Sequence, residues 1–414
     1  MFSQLIPFLV DVGIFIVIPV SVWLLLRRTI PLAVLPIITG LALAAIGWGA
    51  EHRATPVPLS TQVGFLGVLL LAFTAGLESR FSPALANSNL PTTTPLRVVL
   101  SALHALILPF IAGCAAAWFF FNQLPGWELE NVSPIFAAVA IGLCIAVSAL
   151  PVLIGIVREM RPEFQPLGGA ALKLAVIDDV VLWTGLALLL IVAGNQTPTA
   201  WGATHLLAIA ALAGLAVVGQ VLQKLTVQLP VWLAGVLAGG FLAAGAWSTS
   251  VLGLHALLGA YFGGVLFPPA LIRRLPVERI GIFSLLFLAP LFFGYSGLRI
   301  EPDALGPVAL LGAVGLLIVA MASKIFAVVI YPPIAGLQKH ETYAIGALLQ
   351  CKGLMEIVAA TILLDHGLVS PSAFAALVTL AVLSTLLTGP LFHACFRGKN
   401  DARQAVADRG ESLT

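Results

Sequence analysis

Apolar residues in this chain run for about twenty positions at a time, separated by short seams rich in polar residues, glycine or proline. A run of that length matches a helix crossing the hydrocarbon core of a bilayer. The pattern predicts thirteen such helices, near 5–26, 30–50, 61–79, 95–121, 132–158, 164–193, 201–222, 230–247, 250–267, 280–298, 305–332, 341–364 and 372–396. Only the seam AWSTS divides the runs 230–247 and 250–267. Residues 5–26 are read as a retained first helix rather than a cleaved signal, because Arg27 and Arg28 follow the apolar run instead of preceding it. No soluble domain is expected on either side of the helices, and residues 397–414 are expected to be a flexible cytoplasmic tail.

Composition fixes the solvent. Of 414 residues, 60% are apolar and 9% charged, too little polar surface for a water-soluble chain of this size. The fold class is therefore an all-α polytopic membrane protein. Basic residues set its orientation. With the C-terminus in the cytoplasm, fifteen of the twenty Lys and Arg residues fall on the inner side, and only Arg53 and Arg299 on the outer. The N-terminus is then outside, and a cell inner (plasma) membrane is expected. No basic cluster suits a nucleic acid. The four cysteines lack CxxC spacing and read as small buried hydrophobes, and no nucleophile motif or cofactor loop points to an enzyme.

Charges inside the apolar runs carry the chemistry. Asp178 and Asp179 lie side by side in LAVIDDVVLW, and each carboxylate costs about 2.5 kcal/mol or more at the centre of a spanning helix. Neighbouring helical residues point about 100° apart, so the two acids serve different surroundings. In AIGLCIAVSALPVLIGIVREM, Pro151 falls mid-helix and is expected to leave a carbonyl without its partner, with Ser148 placed to fill the gap. Lys324 stands alone in VAMASKIFAVVI and calls for a carboxylate. In QCKGLMEIV, Lys352 and Glu356 share a helix face at a spacing that allows an ion pair, and Gly353 permits unwinding. Asp11 and Lys173 are further intramembrane charges to which the sequence assigns no role.

These segments, in this order over about residues 60–395, resemble the monovalent cation:proton antiporter superfamily, in its antiporter-2 branch of sodium/proton and Kef-type proteins. FLGVLLLAFTAGLE is similar to that branch's third helix, AVSALPVLIGIVREM to its interrupted helix and KLAVIDDVVLW to its paired-acid helix. LAPLFFGYSGLRI is similar to the stretch before the lysine helix, and ASKIFAVVI to the lysine helix itself. The segment from QCKGLMEIV to LLTGPL is similar to the second interrupted helix and its successor. One departure is Lys352, where the family usually carries arginine.

The resemblance implies inverted repeats with two crossing broken helices at mid-membrane. Core units would be 95–193 and 305–396, with 1–94 and 201–298 forming a scaffold or dimerisation side. It implies that Asp179 binds Na⁺ and H⁺ in competition, that Asp178 pairs with Lys324, and that Ser148 and Pro151 mark the first crossover. Lys352, Glu356 and Gly353 would belong to the second. No cofactor is expected beyond the transported Na⁺ or K⁺ and H⁺; the partners are the ions, the lipid bilayer and a second copy in a homodimer. The reading is electrogenic cation/proton antiport. Potassium/proton exchange or Kef-like efflux is the alternative, and a non-transporting ion sensor stands behind both.

Overall fold

A computed structural model describes residues 2–25, 32–48, 58–80, 94–129, 132–193, 203–224, 230–252, 254–300 and 306–396. The tail 397–414 and the loop residues Arg27, Arg28 and Arg53 lie outside them. Among the described residues every regular element is helical. Nine helices are long and apolar enough to cross a membrane. They are α1 (Leu5–Leu25), α3 (Leu59–Glu78), α4 (Leu96–Gln123), α7 (Pro162–Ala193), α8 (Ala203–Lys224), α9 (Val231–Val251), α11 (Val277–Leu298), α12 (Pro307–Ile330) and α15 (Pro371–Ala394). Between them stand the shorter α2 (Leu35–Ala45) and α10 (Ala256–Leu266). Two further crossings are each built from a pair of half-helices: α5 (Pro134–Ala146) with α6 (Leu150–Glu159), and α13 (Lys339–Leu348) with α14 (Gly353–Asp365). Among the described residues these make thirteen candidate crossings, the number expected.

The prolines open helices more often than they break them. Pro95, Pro134, Pro307 and Pro371 each sit in a first turn, where a missing N–H leaves nothing unpaired. Side chains finish the job at some ends: the Thr94 hydroxyl accepts from the Arg97 N–H, and Ser370 from Ala373.

Packing sorts the helices into two groups. Helices α4 to α7 and α12 to α15 lie against one another, with α12 touching α4, α5, α13 and α15. Helices α2, α3, α9, α10 and α11 form the other group, with α8 on α9 and α1 on α3 and α11. Close contacts within the second group depend on glycine: a Cβ on Gly245 or Gly259 would strike the facing backbone, as would one on Gly76 or Gly264. Helix α8 and helix α1 sit at the periphery, with Leu206, Leu207, Leu9 and Leu25 exposed as lipid-facing residues should be.

In chain order the first group is helix, broken helix, helix, twice over. The units begin at the fourth and eleventh crossings, so they run in opposite directions through the membrane and form an inverted repeat.

Candidate functional site

Local chemistry makes both helix breaks. After α5, Val147 (φ −91°, ψ 153°) and Ala149 (φ −79°, ψ 106°) turn extended. Pro151 then falls in the first turn of α6. The sequence places this proline in mid-helix; in the structure the chain breaks before it and restarts with it. The second break turns on Gly353, whose φ of +57° is left-handed. A Cβ there would also stand 2.6 Å from Val152 Cγ2 in α6, so glycine serves both the turn and the close approach of the two breaks.

The breaks are joined to each other. The Ala149 N–H donates to the Cys351 carbonyl at 2.7 Å, and Ser148 Oγ lies 2.7 Å from the Leu349 carbonyl. The Gly353 N–H donates to Thr385 Oγ1 at 3.1 Å. Gln350 donates to the carbonyls of Ala320 and Met321 at 3.0 and 3.3 Å, tying the second break to α12 one turn before Lys324.

Two lysines close the carbonyl end of α5. Lys352 Nζ donates to Cys144, Ile145 and Val147 at 2.8, 2.6 and 3.0 Å, and Lys324 Nζ donates to Ala146. A cation at a helix C-terminus meets the negative end of its dipole. The Val147 carbonyl is the one that a proline four residues on cannot serve. Lys352 takes it, where the sequence reading gave the gap to Ser148.

The adjacent acids part company here. Asp178 Oδ2 accepts from Lys324 Nζ at 2.7 Å and from Ser148 Oγ at 2.7 Å, all three side chains being buried. Asp179 is equally buried, yet neither of its oxygens has a hydrogen-bond partner. The Leu150 N–H at the start of α6 is the backbone donor that acts on it. One turn on, Trp183 stacks on Tyr261 of α10 with ring centroids 5.6 Å apart, so the Asp179 face of α7 looks toward the second helix group.

Lys352 and Glu356 do not form the ion pair their spacing allows, since the ammonium is turned to α5 and both Glu356 oxygens are buried without a partner. Asp11 belongs to the other helix group, buried where α1 meets α3 and α11. Its Oδ2 accepts from Ser60 Oγ (2.5 Å) and Tyr295 OH (2.7 Å). Lys173 is half-buried on α7. The sequence reading missed Thr385 and Gln350. A lone polar residue in an apolar run was the available signal, but many such residues here bond only their own helix, as Thr379 and Ser323 do.

The family model described as "Sodium/hydrogen exchanger, transmembrane" matches residues 13–398. The chain is 27% identical over 384 residues to "Cation/H(+) antiporter 20" of Arabidopsis thaliana, covering 86% of this chain and 43% of that protein, so it spans less than half the length of that relative. It is also 27% identical over 350 residues to "Na(+)/H(+) antiporter NhaS4" of Synechocystis, covering 82% of each. Its fold is that of the solved sodium proton antiporter MjNhaP1 from Methanocaldococcus jannaschii, with a TM-score of 0.60, 16% identity, and 96% and 98% of the two chains covered. With its matched span running through both broken helices and the paired acids, this chain belongs to the sodium/hydrogen exchanger family.

Proposed function

We propose that this protein exchanges a monovalent cation for protons across the inner membrane by alternating access, with Asp179 as the carboxylate that binds either ion. The observation that carries the reading is the asymmetry of the acid pair: Asp178 is committed to Lys324 and Ser148, while Asp179 is buried with both oxygens free. A lone carboxylate in a low-dielectric interior is stable only when neutralised, by a proton or by a cation. Either occupant lowers the cost of carrying the site past an apolar barrier, and the two exclude each other, which couples their fluxes. Among the described residues no group of three or more His, Cys, Asp or Glu stands ready for a metal, so neutral oxygens would complete a cation shell around Asp179. Hard oxygen ligands suit an alkali ion. Sodium is the substrate proposed, with lithium and potassium as competitors.

In this reading α4 to α7 and α12 to α15 form the moving core, and the remaining helices form a scaffold that dimerises. The N-terminus lies outside and the C-terminus in the cytoplasm, a reading that the distribution of basic residues supports. Exchange is electrogenic, because Asp178 adds a second ionisable group beside the site. Proteoliposomes loaded with a pH-sensitive dye and challenged with Na⁺, Li⁺ and K⁺ in turn provide the test. Cation-dependent proton flux should appear for sodium, respond to membrane potential, and vanish in Asp179→Asn. Flux that survives that substitution would remove Asp179 from the role, and flux with potassium alone would move the protein to potassium/proton exchange.

A further inference from the structure

Glu356 is the buried carboxylate that the exchange reading leaves without work. It sits in the first turn of α14, 4% exposed, with neither oxygen hydrogen-bonded. Its natural partner, Lys352, is four residues back. An ammonium has three protons, and Lys352 places all three on the carbonyls of Cys144, Ile145 and Val147. It cannot turn to Glu356 without leaving a buried carbonyl bare.

Among the described residues the elements packed against it offer no other counter-charge. Helix α14 packs on α15, on α5 and on the turn Leu32–Val34. The only titratable group on α15 is His393 in its last turn, twenty-two residues beyond Pro371. Helix α5 contributes Cys144, and the turn contributes none. Lys352, Cys144 and Cys351 are the ionisable groups that act on or feel Glu356. Asp178 and Lys324 are already paired with each other. An ionised carboxylate with no donor, whose one neighbouring cation has its protons turned to other groups, is costly in such a place.

Building on the antiport reading, we propose that Glu356 is a second proton-carrying carboxylate, neutral in the state seen here, whose deprotonation draws Lys352 away from the end of α5. When the crossing opens to water, the Glu356 carboxyl gives its proton to solvent and the Lys352 ammonium moves to the new carboxylate. The carbonyls of Cys144, Ile145 and Val147 are then uncovered beside the Ser148 break. Reprotonation returns the lysine to them. Charge balances at each step: one proton leaves, one ion pair forms, and the ammonium keeps its charge throughout. Lys352 thus acts as a positioning residue, holding α5 closed in one protonation state and releasing it in the other.

Infrared spectroscopy of the reconstituted protein tests this directly, alongside its flux. At neutral pH the wild type should show a protonated-carboxyl band that is lost in Glu356→Gln and bleaches as pH rises. Glu356→Gln, which imitates the neutral form and so keeps Lys352 on the end of α5, should slow cation-dependent flux and lose one titration step from its pH profile. Glu356→Asp should shift the band and that step rather than abolish them, which keeps the test open if the glutamine variant does not fold. An unchanged band in Glu356→Gln, or a pH profile identical to the wild type, would overturn the inference. If the wild type gives no flux at all, the antiport reading fails while the infrared band still reports on the Glu356 proton.

Discussion

Asp178 and Asp179 are chemically identical and adjacent, yet the structure gives them opposite dependence on their charge. Asp178 neutralises Lys324 within a buried pair. Asp178→Asn leaves that ammonium buried without its counter-ion and should cost about 3–5 kcal/mol. Asp179→Asn removes a carboxylate that has no partner to lose, so its thermal unfolding should be unchanged or shifted upward. Unfolding of the two variants in the same detergent, followed by loss of the monodisperse peak on heating, separates them; an equal loss in both would contradict the asymmetry. The double variant Asp178→Asn/Lys324→Met removes both charges of the pair and should recover part of the stability that Asp178→Asn alone loses.

At the scale of elements, the two broken helices are held by backbone chemistry more than by charge. Gly353→Ala forces a left-handed conformation on an L-residue, at about 1–2 kcal/mol, and adds a Cβ against Val152 of α6. Thr385→Val removes the acceptor for the Gly353 N–H inside the protein and should cost about 1–3 kcal/mol. Both losses are expected in thermal unfolding, and in both variants amide exchange at the α13–α14 break should rise. A Thr385→Val protein as stable as the wild type would mean that the Gly353 N–H finds another acceptor. Much of this was legible beforehand: the glycine beside Lys352 marked the second break, and the Ser148–Pro151 segment marked the first. The role of Pro151 was not. A proline in an apolar run reads the same whether it interrupts a helix or begins one, and only the backbone angles at Val147 and Ala149 tell the two apart.

Across the whole molecule, Arg299 at the end of α11 pairs with Asp365 at the end of α14, with 2.5 Å between Nη2 and Oδ1. The pair is half-exposed and joins the two helix groups. Asp365→Asn should therefore change stability by less than about 1 kcal/mol. If the groups move against each other, a covalent bond at the same place should stop transport. Arg299→Cys/Asp365→Cys is expected to lose cation-dependent proton flux under oxidising conditions and regain it on reduction, with the wild type unaffected by either treatment. Flux that continued in the crosslinked protein would count against relative motion at this seam.

The sequence by itself determined the solvent, the number of crossings and their residues, and which charges had to be explained. These follow from local cost: an apolar run of about twenty residues has one stable place, and a carboxylate within it has few. Tertiary structure decided which charge meets which. Spacing set Lys352 four residues from Glu356 on one face, but a helix end some two hundred residues earlier in the chain claimed its three protons. The same crossing committed Asp178 and left Asp179 free. Pairing in a buried crossing is a competition among groups distant in sequence, settled by the directions in which two broken helices aim their ends.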